Sequence, residues 1–468
     1  MAGAVSPDGA GAARELDGWR YAGRAGVAGW LLFDAAAQPW FTLVTTFVFG
    51  PYFASALAAT PAEGQSLWGL ATGISGVVIA LLSPLLGAVS DAGGRRKPWV
   101  AVFAAMTIAS AITLWWGVPG EAGAVTLVLV AFGIGTIGAE FATVFTNAMM
   151  PSLVPAARLG RLSGTGWAVG NIGGLVSLVL VLGLMAANPE TGRTLFGLAP
   201  ILGLDPAMRE GDRFSGPFSA LWFAVLVLPF FLFTPDGARR MSVPAAFRQG
   251  LSDLRATIAA LPEHRDVLVF LVARLAYTDG LIALFAFGGI YAAGTLYWQT
   301  VQIGLFGILL TVTGTVGAYI GGRLDDWLGP KRVIVITLWV LIFASLGVLS
   351  VDGRHVFFVL AVTPITPGGP LFSTPQEVAY LAFGGVIGFV VGPLQAASRT
   401  LLIRLAPADR LTQFFGLYAF SGKMTSFLGP FAVAGVTALF ADQRIGISSI
   451  LVFFLVGAAL LVFVPKQK

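Results

Sequence analysis

GAVSDAGGRRK at residues 87–97 and GRLDDWLGPKR at 322–332 decide how this chain folds. Both fit G-x-x-x-D-x-x-G followed by cations: Gly87, Asp91, Gly94 before Arg95, Arg96 and Lys97, and Gly322, Asp326, Gly329 before Lys331 and Arg332. The two aspartates stand 235 positions apart in a chain of 468 residues. A second pair agrees: Val154-Pro155, Arg158, Gly164 and Gly170 return as Ala406-Pro407, Arg410, Gly416 and Gly422, 252 positions later. Two independent matches at similar offsets read as a duplication, six helices plus six. Parallel repeats of this kind place a solute between the halves near mid-membrane.

Composition sets the solvent. The chain is 56% hydrophobic and 11% charged, with a mean hydropathy of +0.84, against roughly 25% charged in soluble domains. So few charges cannot cover a water-facing surface, so most of the chain must face lipid. The absence of cysteine excludes disulfides, thiolate metal sites and cysteine nucleophiles. No metal or cofactor set is expected. The net charge of +5 is spread in short clusters rather than on a basic face interleaved with aromatics, so membrane topology explains them better than nucleic-acid binding, and no nucleic-acid partner is expected.

A spanning helix needs about 20 mainly apolar residues. On that rule helices 1–6 fall near 26–58, 66–90, 98–117, 122–150, 162–186 and 214–233. Helices 7–12 fall near 266–293, 299–323, 332–350, 376–402, 411–439 and 446–464. With the N-terminus inside, inner segments hold 20 of the 28 Lys and Arg and outer loops five. By the positive-inside rule both termini are cytoplasmic, and the chain reads as a multi-pass protein of the cell (inner) membrane. Residues 1–25 form a tail, 26–233 one half and 266–468 the other. Between them 234–265 carries Phe247, Leu251, Leu254, Ile258 and Leu261, one apolar stripe on a helix lying along the inner membrane surface. A plain linker and a regulatory surface both fit it. Pro364, Pro367, Pro370 and Pro375 argue against continuous helix in the outer loop 351–375.

In the duplicated loop, glycine permits a tight turn, and aspartate can cap a helix N-terminus or bind a nearby cation. The motif is expected to latch the halves in one state, with Asp325 available to stand in for Asp326. Ionisable residues inside a span are functional candidates by default. Six occur: Asp34, Glu140, Arg274, Asp279, Arg399 and Lys423. Arg399 sits near an inner end, where snorkelling and function both fit. Asp279 and Lys423 share a depth and are expected to pair. Asp34, Glu140 and Asp279 are the carboxylates that could carry a proton. An amino-acid-like solute could place its carboxylate on Lys423 or Arg274 and its amine on Asp279. Trp40, Trp167, Tyr277 and Tyr418 are candidate cavity aromatics.

The loop motif with twelve spans resembles the major facilitator superfamily. FDAAAQPWFTLVTTFVFGPYF (33–53), GRLSGTGWAVGNIGG (160–174), YTDGLIALFAFGGIYAAG (277–294) and SRTLLIRLAPADRLTQFFGLYAFSGKMTSFLGP (398–430) resemble its vacuole-effluxer-like branch, which includes autophagy-related amino-acid effluxers. Ala36 and Ala37 depart from it, standing where small polar residues are expected. The resemblance implies an all-α polytopic fold, helices 1, 4, 7 and 10 lining a cavity, and export of amino acids or similar solutes by alternating access. A proton is a possible co-substrate, and the carrier is expected to act as a monomer. The competing readings are efflux of a drug-like or lipid-derived amphiphile and a non-transporting sensor. No nucleophile motif or G-x-x-x-x-G-K-[ST] loop supports an enzyme or an ATP-driven pump.

Overall fold

The computed structural model describes residues 21–465 except 190, 261, 299 and 366–370. Arg14 and Arg20 of the tail, Leu261, Pro367, Pro370, Lys466 and Lys468 lie outside the described residues. Twelve helices among those described are long and apolar enough to cross a membrane. Helices 1–6 are Arg24–Leu57, Glu63–Gly93, Lys97–Trp116, Ala124–Ala148, Ala156–Leu184 and Glu210–Phe233. Helices 7–12 are Arg265–Leu296, Gln302–Leu328, Pro330–Leu349, Pro375–Leu405, Ala408–Phe440 and Gln443–Val462. With an even number of spans, both described chain ends lie at one end of the bundle, with the Asp91 and Asp326 loops.

Local chemistry sets the boundaries. Gly94 (φ +83°) closes helix 2, its N–H bonding Ser90 O at 2.9 Å. Thr374 and Glu377 form a capping box ahead of helix 10, with Pro375 at its first turn. Asp442 caps helix 12 through the N–H groups of Arg444 and Ile445. Helix 8 outruns its predicted end at 323 because Arg323 folds back, bonding Tyr319 O at 2.8 Å and covering the Tyr319 ring, so the charge does not terminate it. Helix 1 loosens to a π-helix over Trp40–Phe47, after Pro39. In the outer loops, Ala187–Asn188 pairs with Arg193–Thr194 and His355–Val356 with Leu360–Ala361.

Helix 11 breaks. Its regular segments are Leu411–Lys423 and Leu428–Phe440. Pro430 has no N–H for the carbonyl of Ser426 and its ring crowds the preceding turn, so residues 424–427 are pushed into tighter turns.

The segment between the halves forms a helix over Val243–Ala260. It seats on helix 2 through small residues rather than through the apolar stripe: a Cβ on Gly250 would lie 2.7 Å from Val89 N. Phe247, Leu251 and Ile258 remain exposed, at 42%, 45% and 55%. Thr257 reaches helix 11, donating to Gln413 at 3.2 Å and accepting from Arg410 at 3.0 Å.

Candidate functional site

Three tiers of polar contacts join the halves, beginning at the end that carries the chain ends. In the first tier each motif aspartate caps a helix of the opposite half. Asp91 accepts from Thr412 Oγ1 (2.5 Å), Gln413 N (2.9 Å) and Arg96 Nη2 (3.0 Å), and Arg96 Nε donates to Thr412 Oγ1 (2.8 Å). Asp326 accepts from Gly160 N (2.9 Å) and Arg161 N (3.3 Å) and pairs with Arg161 Nε at 3.0 Å. Gly160 and Arg161 precede Thr412 and Gln413 by the same 252 positions as the second repeat. The two sets of contacts therefore recur at the same sequence offset.

The motif glycines divide their work. Gly94 and Gly329 turn the chain at φ +83°. Gly87 and Gly322 instead admit the other half: a Cβ on Gly87 would stand 2.5 Å from Thr412 O, and one on Gly322 2.5 Å from Gly160 O. The cations divide too. Lys97 donates to Phe231 O at the end of helix 6 (2.9 Å), and Lys331 to Val464 O just beyond helix 12. Arg95 and Arg332 are exposed. Asp325 does not stand in for Asp326. It is 1% exposed and accepts from Thr400 Oγ1 of its own half, because adjacent helical residues point about 100° apart.

The second tier centres on Arg399, which is buried at 5% and does not snorkel. Its guanidinium binds across the seam to Ser163 Oγ (3.1 Å), Ser163 O (2.7 Å) and Asn147 Oδ1 (3.0 Å), with Asp34 Oδ2 at 3.7 Å. Helix 5 meets helix 1 here through glycine; a Cβ on Gly166 would lie 2.6 Å from Asp34 Oδ2.

In the third tier Lys423 Nζ lies 2.7 Å from Glu140 Oε1. This corrects the expected pairing with Asp279. Lys423 ends the first segment of helix 11 and reaches across to helix 4, whereas Asp279 faces the second segment, where a Cβ on Gly429 would stand 2.3 Å from Asp279 O.

Between the second and third tiers lies a cavity of about 290 Å³ lined by Glu140, Thr143, Asn147, Trp167, Arg274, Thr278, Gln395, Arg399, Tyr418 and Lys423, with several apolar side chains. Helices 4, 5, 7, 10 and 11 line it; helix 1, expected in the lining, supplies none of it among the described residues, and its Asp34 meets Arg399 from behind. Arg274 lies over the Tyr418 ring, 3.3 Å from Cζ to the centroid, and its Nη1 donates to Tyr418 O (2.7 Å) and Ser421 Oγ (3.0 Å). Gly422 makes room, since a Cβ there would meet Arg274 Nη1 at 2.9 Å. Arg274 Nε, Trp167 Nε1 and Thr278 Oγ1 are buried without partners among the described residues.

Two expected cavity aromatics are core residues instead. Trp40 stacks on Phe132 and donates to Thr136 Oγ1 at 3.3 Å, and Tyr277 is fully buried with its hydroxyl 2.7 Å from Ser398 Oγ. Asn147, Ser163, Thr412 and Gln413 carry the seam without having been singled out from sequence. The 252-residue offset points to three of them: Asn147 is the counterpart of Arg399, and Thr412 and Gln413 are those of Gly160 and Arg161.

The profile of the family described as "Vacuole effluxer Atg22 like" matches residues 57–468. The chain belongs to that family. It is 26% identical over 447 residues to the MFS-type transporter YxiO of Bacillus subtilis (strain 168), covering 94% of each chain. It is 26% identical over 313 residues to autophagy-related protein 22 of Cryptococcus neoformans var. neoformans serotype D, spanning 66% of this chain and about half (51%) of that protein. Among solved structures it is similar to the proton:xylose symporter XylE, with a TM-score of 0.67, 12% identity and 95% of each chain covered. It is also similar to a bacterial homologue of the iron transporter ferroportin in an outward-facing state, with a TM-score of 0.64, 13% identity, and 94% and 98% covered. This member of the vacuole-effluxer family is thus a multi-pass MFS-type transporter with the expected fold, and not an enzyme.

Proposed function

We propose that this carrier moves a small carboxylate-bearing solute, an amino acid or a close relative, outward across the cell membrane by alternating access, with both termini cytoplasmic. The observation that carries this reading is Arg274. Its guanidinium lines the cavity and pairs with no carboxylate among the described residues, while the other two cavity cations are answered by Glu140 and Asp34. A carboxylate entering the cavity supplies the missing charge beside the Arg274 guanidinium. The solute's amine then finds Glu140 rather than Asp279, which does not line the cavity, and binding opens the Glu140–Lys423 bridge.

The tiers supply the gate. Two layers of contacts, the first and second tiers, lie between the cavity and the end bearing the termini, which suits a state with the cytoplasmic side shut. Inward opening must break the Asp91 and Asp326 caps together. A charged wall of Glu140, Arg274, Arg399 and Lys423 suits an amphiphile poorly. Thermal-shift screening of the purified protein against amino acids, peptides, sugars and organic phosphates tests the reading. Stabilisation by amino acids that is lost in Arg274→Gln supports it, and stabilisation by uncharged sugars alone contradicts it.

A further inference from the structure

The cavity leaves one ionisable residue unused. Asp279, on helix 7, is 0% exposed, and neither carboxylate oxygen accepts a hydrogen bond of good geometry. The Thr425 hydroxyl faces it and is likewise unpartnered. Thr425 stands in the break of helix 11, between Lys423 and Leu428. There the first segment presents the carbonyl-rich, partly negative end of its dipole, and Pro430 deprives Ser426 O of its helical donor. Gly429 brings the second segment against Asp279 O with no room for a side chain.

Asp279 has no cation in ion-pair contact among the described residues, although the Arg274 charge is felt there, and the repeat offset shows why. Asp34 and Asp279 hold comparable places in helices 1 and 7, about 245 positions apart, an offset between those of the two repeats. Asp34 has Arg399, but the counterpart of Arg399 is Asn147, which is neutral and already bound to Arg399 itself. Arg274, five positions before Asp279, directs its guanidinium to Tyr418 and Ser421. A buried carboxylate left alone in a dry setting is costly until something neutralises it.

We propose that Asp279, Thr425 and main-chain oxygens of the helix 11 break bind a sodium ion. The oxygen-only donor set suits a hard cation, and a single carboxylate matches one positive charge, where divalent sites gather several. Unwound carbonyls beside a half-helix C-terminus are a recurrent way to hold such an ion within a membrane. The ion would fix the break just beyond Lys423 and join helices 7 and 11, both of which line the solute cavity. As a coupling ion it rests on the transport reading; as a binding site it does not.

The test is a thermal-shift titration of the full-length protein with NaCl, against KCl and choline chloride at constant pH and ionic strength. A saturating rise in Tm specific to Na+ is expected, absent in Asp279→Asn and requiring about tenfold more Na+ in Thr425→Val. No Na+-selective shift in the wild type, or one that survives in Asp279→Asn, overturns the proposal. So does a Tm that follows pH through Asp279 and ignores Na+, which would make the counter-ion a proton. Should Asp279→Asn fail to fold, Thr425→Val decides alone, an unchanged Na+ requirement overturning the site. No solute flux enters the measurement, so its failure leaves the carrier reading standing.

Discussion

Lys423 and Glu140 join the two halves of the carrier at 2.7 Å across the wall of its cavity. Both side chains keep partial contact with solvent, at 34% and 22% exposure, so the bridge is one a bound solute can replace. A double-mutant cycle on Tm with Glu140→Gln and Lys423→Gln should show coupling, toward the low end of roughly 0.5–3 kcal/mol because of that exposure. Asp279→Asn combined with Lys423→Gln should be additive, since those residues do not meet. Additivity in the first cycle would show that the bridge contributes nothing.

The latch makes a conformational prediction. Asp91→Asn removes the charge that accepts from Thr412, Gln413 and Arg96, and should shift the balance toward the state open at the termini end by about tenfold, or 1.4 kcal/mol. The chain has no cysteine, so a single Ala396→Cys at the seam, where Ser163 bonds the Ala396 carbonyl, reports cleanly. Its labelling from that side should accelerate in Asp91→Asn, and again in Asp326→Asn without rescue by Asp325. Unchanged labelling would remove the latch from the gating account.

Close approach gives an independent way to open the same seam. Gly322→Ala would set a methyl 2.5 Å from Gly160 O, and Gly164→Ala one 2.3 Å from Ala318 O. Both partners are backbone and cannot swing aside, so each variant should lose about 1–3 kcal/mol of stability or part the halves. Ala396→Cys labelling and Tm together register either outcome; wild-type values for both would contradict the packing argument.

Outside the membrane, Asp352 ties the outer hairpin. Burial pushes its carboxyl upward, but the N–H groups of Arg354 and His355 and the His355 ring outweigh it and hold the group below its usual range. A depressed folded value contributes stability that is present above the unfolded value of about 3.9 and lost as pH falls through the folded one. Hydrogen exchange around His355–Val356 and Leu360–Ala361 should therefore quicken on acidification below pH ~4, and lose that dependence in Asp352→Asn. Exchange that does not respond to acid would contradict this assignment.

The spans were legible because each carries a run of apolar residues of sufficient length, and the recurrence of glycine and aspartate at fixed spacing was visible in the sequence itself. What each motif residue touches was not. The capping of helices 11 and 5 by Asp91 and Asp326 depends on the packing of one half against the other, and no local pattern records that. Depth along the helices placed Lys423 and Asp279 together, but depth does not give rotation about the helix axis, and rotation sends Lys423 to Glu140. Trp40 and Tyr277 misled for the same reason: an aromatic in a span looks alike whether it faces a cavity or the core. The sequence reads as one continuous span over 411–439; the break follows from Pro430, and its consequence for Asp279 needed the neighbouring helix.

Arg274 bears the central claim, and solute exchange in proteoliposomes tests it most directly. Wild-type protein should exchange a radiolabelled amino acid saturably, with unlabelled carboxylate-bearing analogues competing and their amides not, and Arg274→Gln should lose that exchange while retaining its fold. Exchange of amides as fast as of carboxylates, or full exchange in Arg274→Gln, would contradict it.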